Sequence, residues 1–329
     1  MDDGRWTMDG EGRWKGQGSR RAWSLLFIVI VPVVSVALAF RPSTGPSTRN
    51  EVPTVARDIF SQTPEPAQHR IQYGSGEFQF GDLYLPPNSQ FAIPNSNFPI
   101  VVFIHGGFWR SQYDLTHAGH AAHALSEAGF ATWSIEYRRI GHPGGGWPGT
   151  FQDVGAAVDY LRVLAPQYNL DLDRVVVAGH SAGGHLSAWV ASRHRIPAGD
   201  PLYMEDPLPV KAAVPLAGVV DLRRGWELQL SSGVVEDFLG GTPGAVPERY
   251  GTASPIELLP TGVPMRLIHG TDDDNVPYEI SEQYVEAAQQ RGDDVKLVAL
   301  EGTGHFEVIN PDTKEWQVVV STILELMKR

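Results

Sequence analysis

The sequence of 329 residues contains no cysteine. Disulfides, thiolate zinc sites, iron–sulfur clusters, lipoprotein anchors and cysteine nucleophiles all need that residue, so the composition excludes each of them. Basic residues are also few: Lys and Arg number 26 against 38 Asp and Glu, which gives a formal net charge of -12. Such a chain repels phosphate backbones and lacks the basic stripe that nucleic acids require, so we expect no nucleic-acid partner.

One long stretch without charged residues runs from Ala22 to Phe40. As a helix rising 1.5 Å per residue it would reach roughly 28 Å, close to the thickness of a bilayer core. The sequence therefore predicts a transmembrane anchor or a signal segment. More Arg and Lys precede this stretch than follow it, which favours an anchor with the bulk of the protein outside the cytoplasm. The pattern Ala37-Leu38-Ala39 favours a secreted protein cleaved near Ala39.

The remaining organisation follows from composition. Residues 1–21 form a basic N-terminal segment, and residues 41–69 are rich in proline and poor in large apolar side chains, which predicts a disordered tether. From residue 70 to 329 strand and helix signals alternate, which predicts one α/β domain with a mostly parallel central sheet and helices on both faces. After strands opening between 71 and 85, the main strands are expected at 99–104, 130–135, 174–178, 210–216, 265–268 and 295–300, and helices at 116–129, 151–164, 182–192, 278–290 and 313–327.

A strand, a sharp turn and a helix meet at Gly179-His180-Ser181-Ala182-Gly183. This G-x-S-x-G pattern is typical of a serine nucleophile, because only small neighbours allow the tight turn that presents the hydroxyl above the sheet edge. The amide of Ala182 lies at a helix N-terminus, where it can stabilise a developing oxyanion. Ser181 is therefore the candidate nucleophile.

A serine nucleophile needs a base, and the base needs an orienting carboxylate. Asp272, Asp273 and Asp274 follow one predicted strand, and His305 follows the next. The chain order Ser181, acid, histidine matches the order in one class of serine hydrolases. Because catalytic groups gather at the carboxyl ends of parallel strands, we expect these side chains to meet, with any of the three aspartates as the acid.

A glycine-containing loop, His105-Gly106-Gly107-Phe108-Trp109, follows a buried apolar run. Its amides can complete an oxyanion hole with that of the residue after the nucleophile. Trp109 has two interpretations, as a packing residue that supports this loop or as part of the substrate pocket wall.

Other segments carry candidate binding features. Trp147, in a glycine-rich loop at 144–150, is a candidate substrate-facing aromatic, and residues 221–260 have the composition of a small cap insertion. His117, His120 and His123 rotate around a helix axis and have no carboxylate to complete a familiar site, so we expect no metal. No motif indicates an organic cofactor.

Residues 70–329 resemble the α/β-hydrolase superfamily. The loop at 105–109, the segment 179–184 and the opening Tyr73-Gly74 with Asp82 to Pro86 are similar to the esterase and kynurenine-formamidase-like branch. The resemblance implies that Ser181 is the nucleophile and His305 the general base and then acid. The family spaces its acid four residues after the histidine that matches His269, which implies Asp273. It also implies oxyanion donors at Gly107, Phe108 and Ala182.

These observations lead to an expected function. We predict a serine hydrolase that cleaves short-chain carboxylic esters of small molecules through an acyl-enzyme, without metal or cofactor. An arylformamidase acting on N-formylkynurenine-like amides is an alternative, although such enzymes are expected inside cells and this chain carries an export or anchor segment. Two further alternatives are a serine exopeptidase and a non-catalytic scaffold built on a hydrolase fold. The first commonly has a large extra N-terminal domain, and the second would lack part of the triad. The sequence leaves acyl length, leaving group and oligomeric state open.

Overall fold

The computed structural model describes residues 6–8, 14–16, 63–87 and 97–328. The predicted membrane or signal segment at 22–40 and residues 41–62 of the predicted tether lie outside these ranges. Contacts divide the chain into two units, Met1–Pro53 and Thr54–Arg329. In the first unit, strands β1 (Trp6–Met8) and β2 (Trp14–Gly16) pair antiparallel. Within the described ranges, no helix has the length and apolar character needed to cross a membrane.

An eight-stranded sheet forms the centre of the second unit, in the order β10-β9-β8-β7-β5-β6-β4-β3. The six strands from β5 to β10 are parallel, whereas β3 and β4 join one edge antiparallel. The strands are β3 (His69–Gln72), β4 (Phe80–Tyr84), β5 (Phe98–Ile104), β6 (Ala131–Ile135), β7 (Leu170–His180), β8 (Ala212–Leu216), β9 (Met265–Gly270) and β10 (Val295–Leu300). This arrangement confirms the predicted mostly parallel sheet.

Helices cover both faces of the sheet: α1 (Gly119–Glu127), α2 (Gly149–Asp159), α3 (Leu161–Tyr168), α4 (Ala182–Ser192), α5 (Leu222–Glu227), α6 (Val234–Leu239), α7 (Pro247–Ala253), α8 (Glu279–Gln290) and α9 (Lys314–Lys328). Alternate residues of β5 enter two separate apolar cores. Val102 joins the core with α2, α3, α4 and α8, and Phe103 joins the core with α1 and α9. Both residues are completely buried. A strand covered on both faces explains why its sequence is continuously apolar.

Several boundaries differ from the prediction. The single helix expected at 151–164 is two helices, because the chain tightens at Tyr160, where ψ is -16°. The helix expected from residue 116 begins as a 3₁₀ turn at Leu115–Ala118, where the Asp114 side chain accepts from the Thr116 amide. Gly129, with φ +99°, follows α1. Residues 77–79, expected in a strand, form the turn between β3 and β4.

The end of the predicted tether packs on the domain. The Tyr84 hydroxyl donates to the Glu65 carbonyl at 3.3 Å, and the Gln68 side chain accepts from the Leu85 amide at 3.0 Å. β3 begins at His69, the last residue of the predicted tether, which pairs with Leu83 of β4.

Candidate active site

Ser181 occupies the sharp turn between β7 and α4. Its backbone has φ 56° and ψ -116°, and its amide donates to the Leu216 carbonyl at 2.8 Å. The flanking glycines have a steric reason: a Cβ at Gly179 would overlap the carbonyl oxygen of Gly183, and a Cβ at Gly183 would overlap that of Ile104. The turn thus holds a serine in a strained conformation that side chains at its neighbours would prevent.

The loops after β9 and β10 bring a carboxylate and an imidazole together. Asp273 Oδ2 lies 2.6 Å from His305 Nδ1. The second oxygen, Oδ1, accepts from the amides of Asn275 at 2.9 Å and Val276 at 2.8 Å. The neighbouring Asp272 and Asp274, by contrast, are exposed. Of the three candidate acids, the structure therefore places Asp273 against the histidine.

Several donors keep Asp273 ionised. Burial alone would raise its pKa, but the charge of His305 and hydrogen bonds from His269 and His305 outweigh burial, and the pKa lies far below its usual value. His269 Nε2 is 3.2 Å from Asp273 Oδ2. A carboxylate in this position holds Nδ1 of His305 protonated and leaves Nε2 as the basic nitrogen.

The loop after β5 carries the candidate oxyanion donors. Gly107, Phe108 and Trp109 have φ values of 105°, 49° and 56°, a run in the left-handed region that is rare outside glycine. Across the described residues, the amides of Gly107, Phe108 and Ala182 donate to no acceptor of the protein. These three donors are therefore available to a substrate oxygen.

The buried side chain of Trp109 packs against helix α6 and supports this strained loop. Its side chain is completely buried and stacks on Phe238 of α6, with the ring centres 4.4 Å apart. Its indole nitrogen donates to His185 Nδ1 at 3.2 Å, and His185 Nε2 in turn donates to the Ala253 carbonyl at 2.9 Å. Of the two interpretations given above, these contacts are those of a packing residue that supports the loop.

A buried charge cluster lies at the start of the same loop. His105 Nδ1 is 2.8 Å from the Gly106 carbonyl and its Nε2 is 3.0 Å from Glu136. Arg139 is 3.1 Å from the same carboxylate. Burial raises the pKa of Glu136, but His105 and Arg139 more than offset it and the pKa is lowered. The Glu136 carboxylate therefore joins His105 and Arg139 at the start of this loop.

Trp147 lies on the cap side of the domain. The Arg249 guanidinium carbon is 4.3 Å from the centre of the Trp147 ring, and the Trp147 amide donates to the Phe238 carbonyl at 2.9 Å. Its contacts therefore join the glycine-rich loop to α6 and α7, which lie within the predicted cap at 221–260.

Sequence reasoning missed two histidines beside the site. His117 Nε2 lies 3.0 Å from His180 Nδ1, and His180 Nε2 lies 2.8 Å from the His305 carbonyl. In the sequence, His117 suggests only a metal ligand, and His180 stands at a variable position of the serine motif. The signal available in the sequence was a histidine at the end of a buried strand, where a polar ring needs partners. In the described part of the chain no cluster of His, Asp and Glu has a geometry suited to a metal.

The sequence was compared with models of known protein families. The sequence matches the BD-FAE family over residues 82–287. The chain belongs to the BD-FAE family. The match contains Ser181 and Asp273, whereas His305 follows it. The BD-FAE assignment, together with the sheet and helices described above, confirms the predicted α/β-hydrolase fold.

Relatives of this BD-FAE chain include two curated proteins. Esterase LipC of Mycobacterium tuberculosis is 29% identical over 255 residues, which are 74% of this chain and 60% of LipC. The probable isoprenylcysteine alpha-carbonyl methylesterase ICMEL1 of Arabidopsis thaliana is 28% identical over 257 residues, covering 74% of this chain and 51% of that protein. The chain thus matches about half to three fifths of the length of these relatives.

Solved structures share the fold of the BD-FAE chain. A truncated carbohydrate esterase from gut microbiota superposes with a TM-score of 0.68 at 24% identity, over 82% of this chain and 100% of the other. Esterase Est2 of Thermogutta terrifontis, with propionate bound, gives a TM-score of 0.64 at 23% identity, over 80% of this chain and 94% of the other.

Proposed function

We propose that the protein is a serine hydrolase that cleaves carboxylic esters. The observation that carries this proposal is the 2.6 Å bond between Asp273 and His305, where the His305 carbonyl bonds the residue before Ser181 and Ser181 lies on a strained turn. The names of LipC and ICMEL1, an esterase and a probable methylesterase, support the same class of reaction.

The reaction follows from the arrangement of these groups. His305 Nε2 takes the proton of Ser181 as Oγ attacks the ester carbonyl carbon, and the carbonyl oxygen becomes an oxyanion held by the amides of Gly107, Phe108 and Ala182. The intermediate collapses, the C–O bond breaks, and His305 gives its proton to the leaving alkoxide, which departs as an alcohol. Water, deprotonated by His305, then attacks the acyl carbon, the bond between that carbon and Ser181 Oγ breaks, and His305 returns the proton to Oγ as the acid leaves. Asp273 stabilises the imidazolium in both halves.

We propose short acyl groups for the substrate. Support comes from Est2 of Thermogutta terrifontis, a protein of the same fold with structures in complex with propionate and with butyrate. In this chain the cap of α5 to α7 packs through Phe238 against Trp109, directly behind the oxyanion loop. A cap anchored there is placed to limit the length of an acyl chain.

The test compares full-length protein with Ser181→Ala on p-nitrophenyl esters of increasing acyl length, on N-formylkynurenine and on a peptide substrate. Ser187→Ala is a matched control, because Ser187 is also buried and its hydroxyl donates within α4, to the Gly184 carbonyl at 2.9 Å. We expect turnover highest on two- to four-carbon esters, lowered by a factor on the order of 10⁴ or more in Ser181→Ala, and retained in Ser187→Ala. Preference for the formamide or the peptide would contradict the ester assignment, and equal turnover in Ser181→Ala would contradict the serine mechanism.

We also propose that the catalytic domain functions outside the cytoplasm. Support comes from the charge-free stretch at 22–40 and the basic residues before it. Mass spectrometry of the native N-terminus distinguishes the two forms: an intact N-terminus in the membrane fraction indicates an anchor, and an N-terminus just after Ala39 indicates secretion. An intact protein in the soluble cytoplasmic fraction would contradict both.

A further inference from the structure

Three histidines form a continuous hydrogen-bonded row behind the candidate nucleophile. His117 lies in the 3₁₀ turn Leu115–Ala118 before α1, His180 ends β7 immediately before Ser181, and His305 follows β10. The imidazoles of His117 and His180 are 3.0 Å apart between Nε2 and Nδ1, and His180 Nε2 is 2.8 Å from the carbonyl oxygen of His305. The last contact reaches the main chain of the catalytic base, not its ring.

The chemistry of the partners fixes the proton positions in this row. A carbonyl oxygen only accepts, so His180 Nε2 carries a proton and donates to His305. In a neutral imidazole the other nitrogen is then an acceptor, so His180 Nδ1 accepts from His117 Nε2–H. All of the donors in the row thus point towards His305, and the arrangement requires His180 to be neutral.

Burial keeps both rings in the required state. His180 is completely buried, and desolvation lowers its pKa well below the usual value. Desolvation also lowers the pKa of His117 to about 3. Since neither ring gains a proton at neutral pH, the acceptor at His180 Nδ1 persists. Phe306 and His305 pack on the His180 ring, with ring centres 5.7 Å and 4.5 Å away.

We propose that His180, supported by His117, is a positioning residue that fixes the main chain of the catalytic His305 relative to Ser181. Asp273 holds the ring of His305, and His180 holds its carbonyl, so the base is fixed at two points. Because His180 is also the residue next to Ser181, one side chain sets the distance between nucleophile and base. This inference rests on the proposed function, in which His305 takes the proton from Ser181.

The donor at Nε2 can be removed or kept by substitution. In His180→Asn the shorter amide reaches the Nδ1 position and can still accept from His117, but it no longer reaches His305. In His180→Gln the longer amide places a nitrogen near the former Nε2, so the bond to the His305 carbonyl can re-form. If His180 only filled space, His180→Asn and His180→Gln would not differ in this way.

The experiment measures kcat, KM and the low-field proton NMR resonance of the His305 Nδ1–H bond to Asp273 in full-length protein. Because a displacement of about 1 Å can cost roughly 10²-fold, we expect His180→Asn to lower kcat by about 10- to 100-fold with KM nearly unchanged, and to broaden or lose the resonance. His180→Gln should restore most of both. His185→Asn is the control: it also removes a buried histidine that donates to a carbonyl, at Ala253, yet it should leave the resonance in place.

Equal kcat in His180→Asn and His180→Gln, or a wild-type resonance in His180→Asn, would overturn the proposal. If His180→Asn does not fold, the same comparison is made with His117→Asn and His117→Gln, of which only the second keeps the donor to His180. There we expect a smaller fall of kcat in His117→Asn, restored in His117→Gln, and equal values overturn the proposal. If the wild type hydrolyses no ester at all, the proposed function fails, but the resonance still decides whether His180 holds His305.

Discussion

Substitution of Asp273 by asparagine has a consequence that the hydrogen bonds specify. Oδ1 accepts from the amides of Asn275 and Val276 at 2.9 and 2.8 Å, so in Asp273→Asn the amide oxygen must stay on that side. The amide nitrogen then faces His305 Nδ1, 2.6 Å away in the wild type, where an acceptor stood before. His305 can satisfy that donor only by moving its own proton to Nε2, and in that tautomer it cannot deprotonate Ser181.

We therefore expect kcat on a short ester to fall by about 10⁴-fold, equivalent to roughly 5 kcal/mol of barrier at 1.36 kcal/mol per factor of ten. The assay is steady-state hydrolysis of a p-nitrophenyl ester at neutral pH. Asp272→Asn and Asp274→Asn are matched controls on the same loop, because both side chains are exposed, and they should stay within a few-fold of wild type. A larger loss in either control than in Asp273→Asn would refute the reasoning.

Three further predictions concern the residues that support the site. Gly183→Ala should lower the free energy of unfolding by about 1–3 kcal/mol or more, because its methyl group would overlap main chain. Gly251→Ala is the control, because a Cβ at this position of helix α7 meets nothing within 4 Å, and it should be neutral or slightly stabilising. Urea denaturation measures the free energy of unfolding of both variants, and an equal loss of stability in the two would contradict the prediction. Trp109→Phe leaves His185 Nδ1 without its donor, so it should cost about 1–3 kcal/mol of stability. It should also lower kcat more than it raises KM. Unchanged kinetics would contradict the anchoring role of Trp109. Burial lowers the pKa of His117 to about 3 and of His185 to about 4, below the unfolded value of about 6.5. The unfolded chain therefore binds more protons between those values, so stability should be full above about pH 6.5 and fall as the pH drops towards 4. His185→Asn should flatten this dependence, and a slope as steep as that of wild type would contradict it.

The fold was predictable because its strands are nearly continuous apolar runs. The runs at 99–104 and 295–300 match β5 and β10 closely, and the helix at 182–192 matches α4 residue for residue. Boundaries were less predictable where local geometry overrides the apolar pattern. The tightening at Tyr160 splits one predicted helix, and His69, at the end of the predicted tether, pairs with Leu83 in the sheet.

The parts of the candidate site that lie in a local sequence motif could be predicted from the sequence. The parts that depend on contacts between residues distant in the chain could not. Ser181 and its glycines stand in a local pattern that a sharp turn requires. The choice among three aspartates required the resemblance to a family, and the structure shows the physical difference: Asp273 alone of the three is buried against His305. The role of His180 depends on a contact 125 residues away along the chain, which no local pattern carries.

Detection of an acyl-enzyme on Ser181 tests the central claim most directly. The protein would be mixed with a short p-nitrophenyl ester, quenched in acid within a fraction of a turnover, digested and analysed by mass spectrometry. We predict the mass of one acyl group on the peptide that contains Ser181, and no acylated peptide in Ser181→Ala. Turnover of the ester with the acyl group on another residue, or with no acylated peptide at all, would contradict the proposed mechanism.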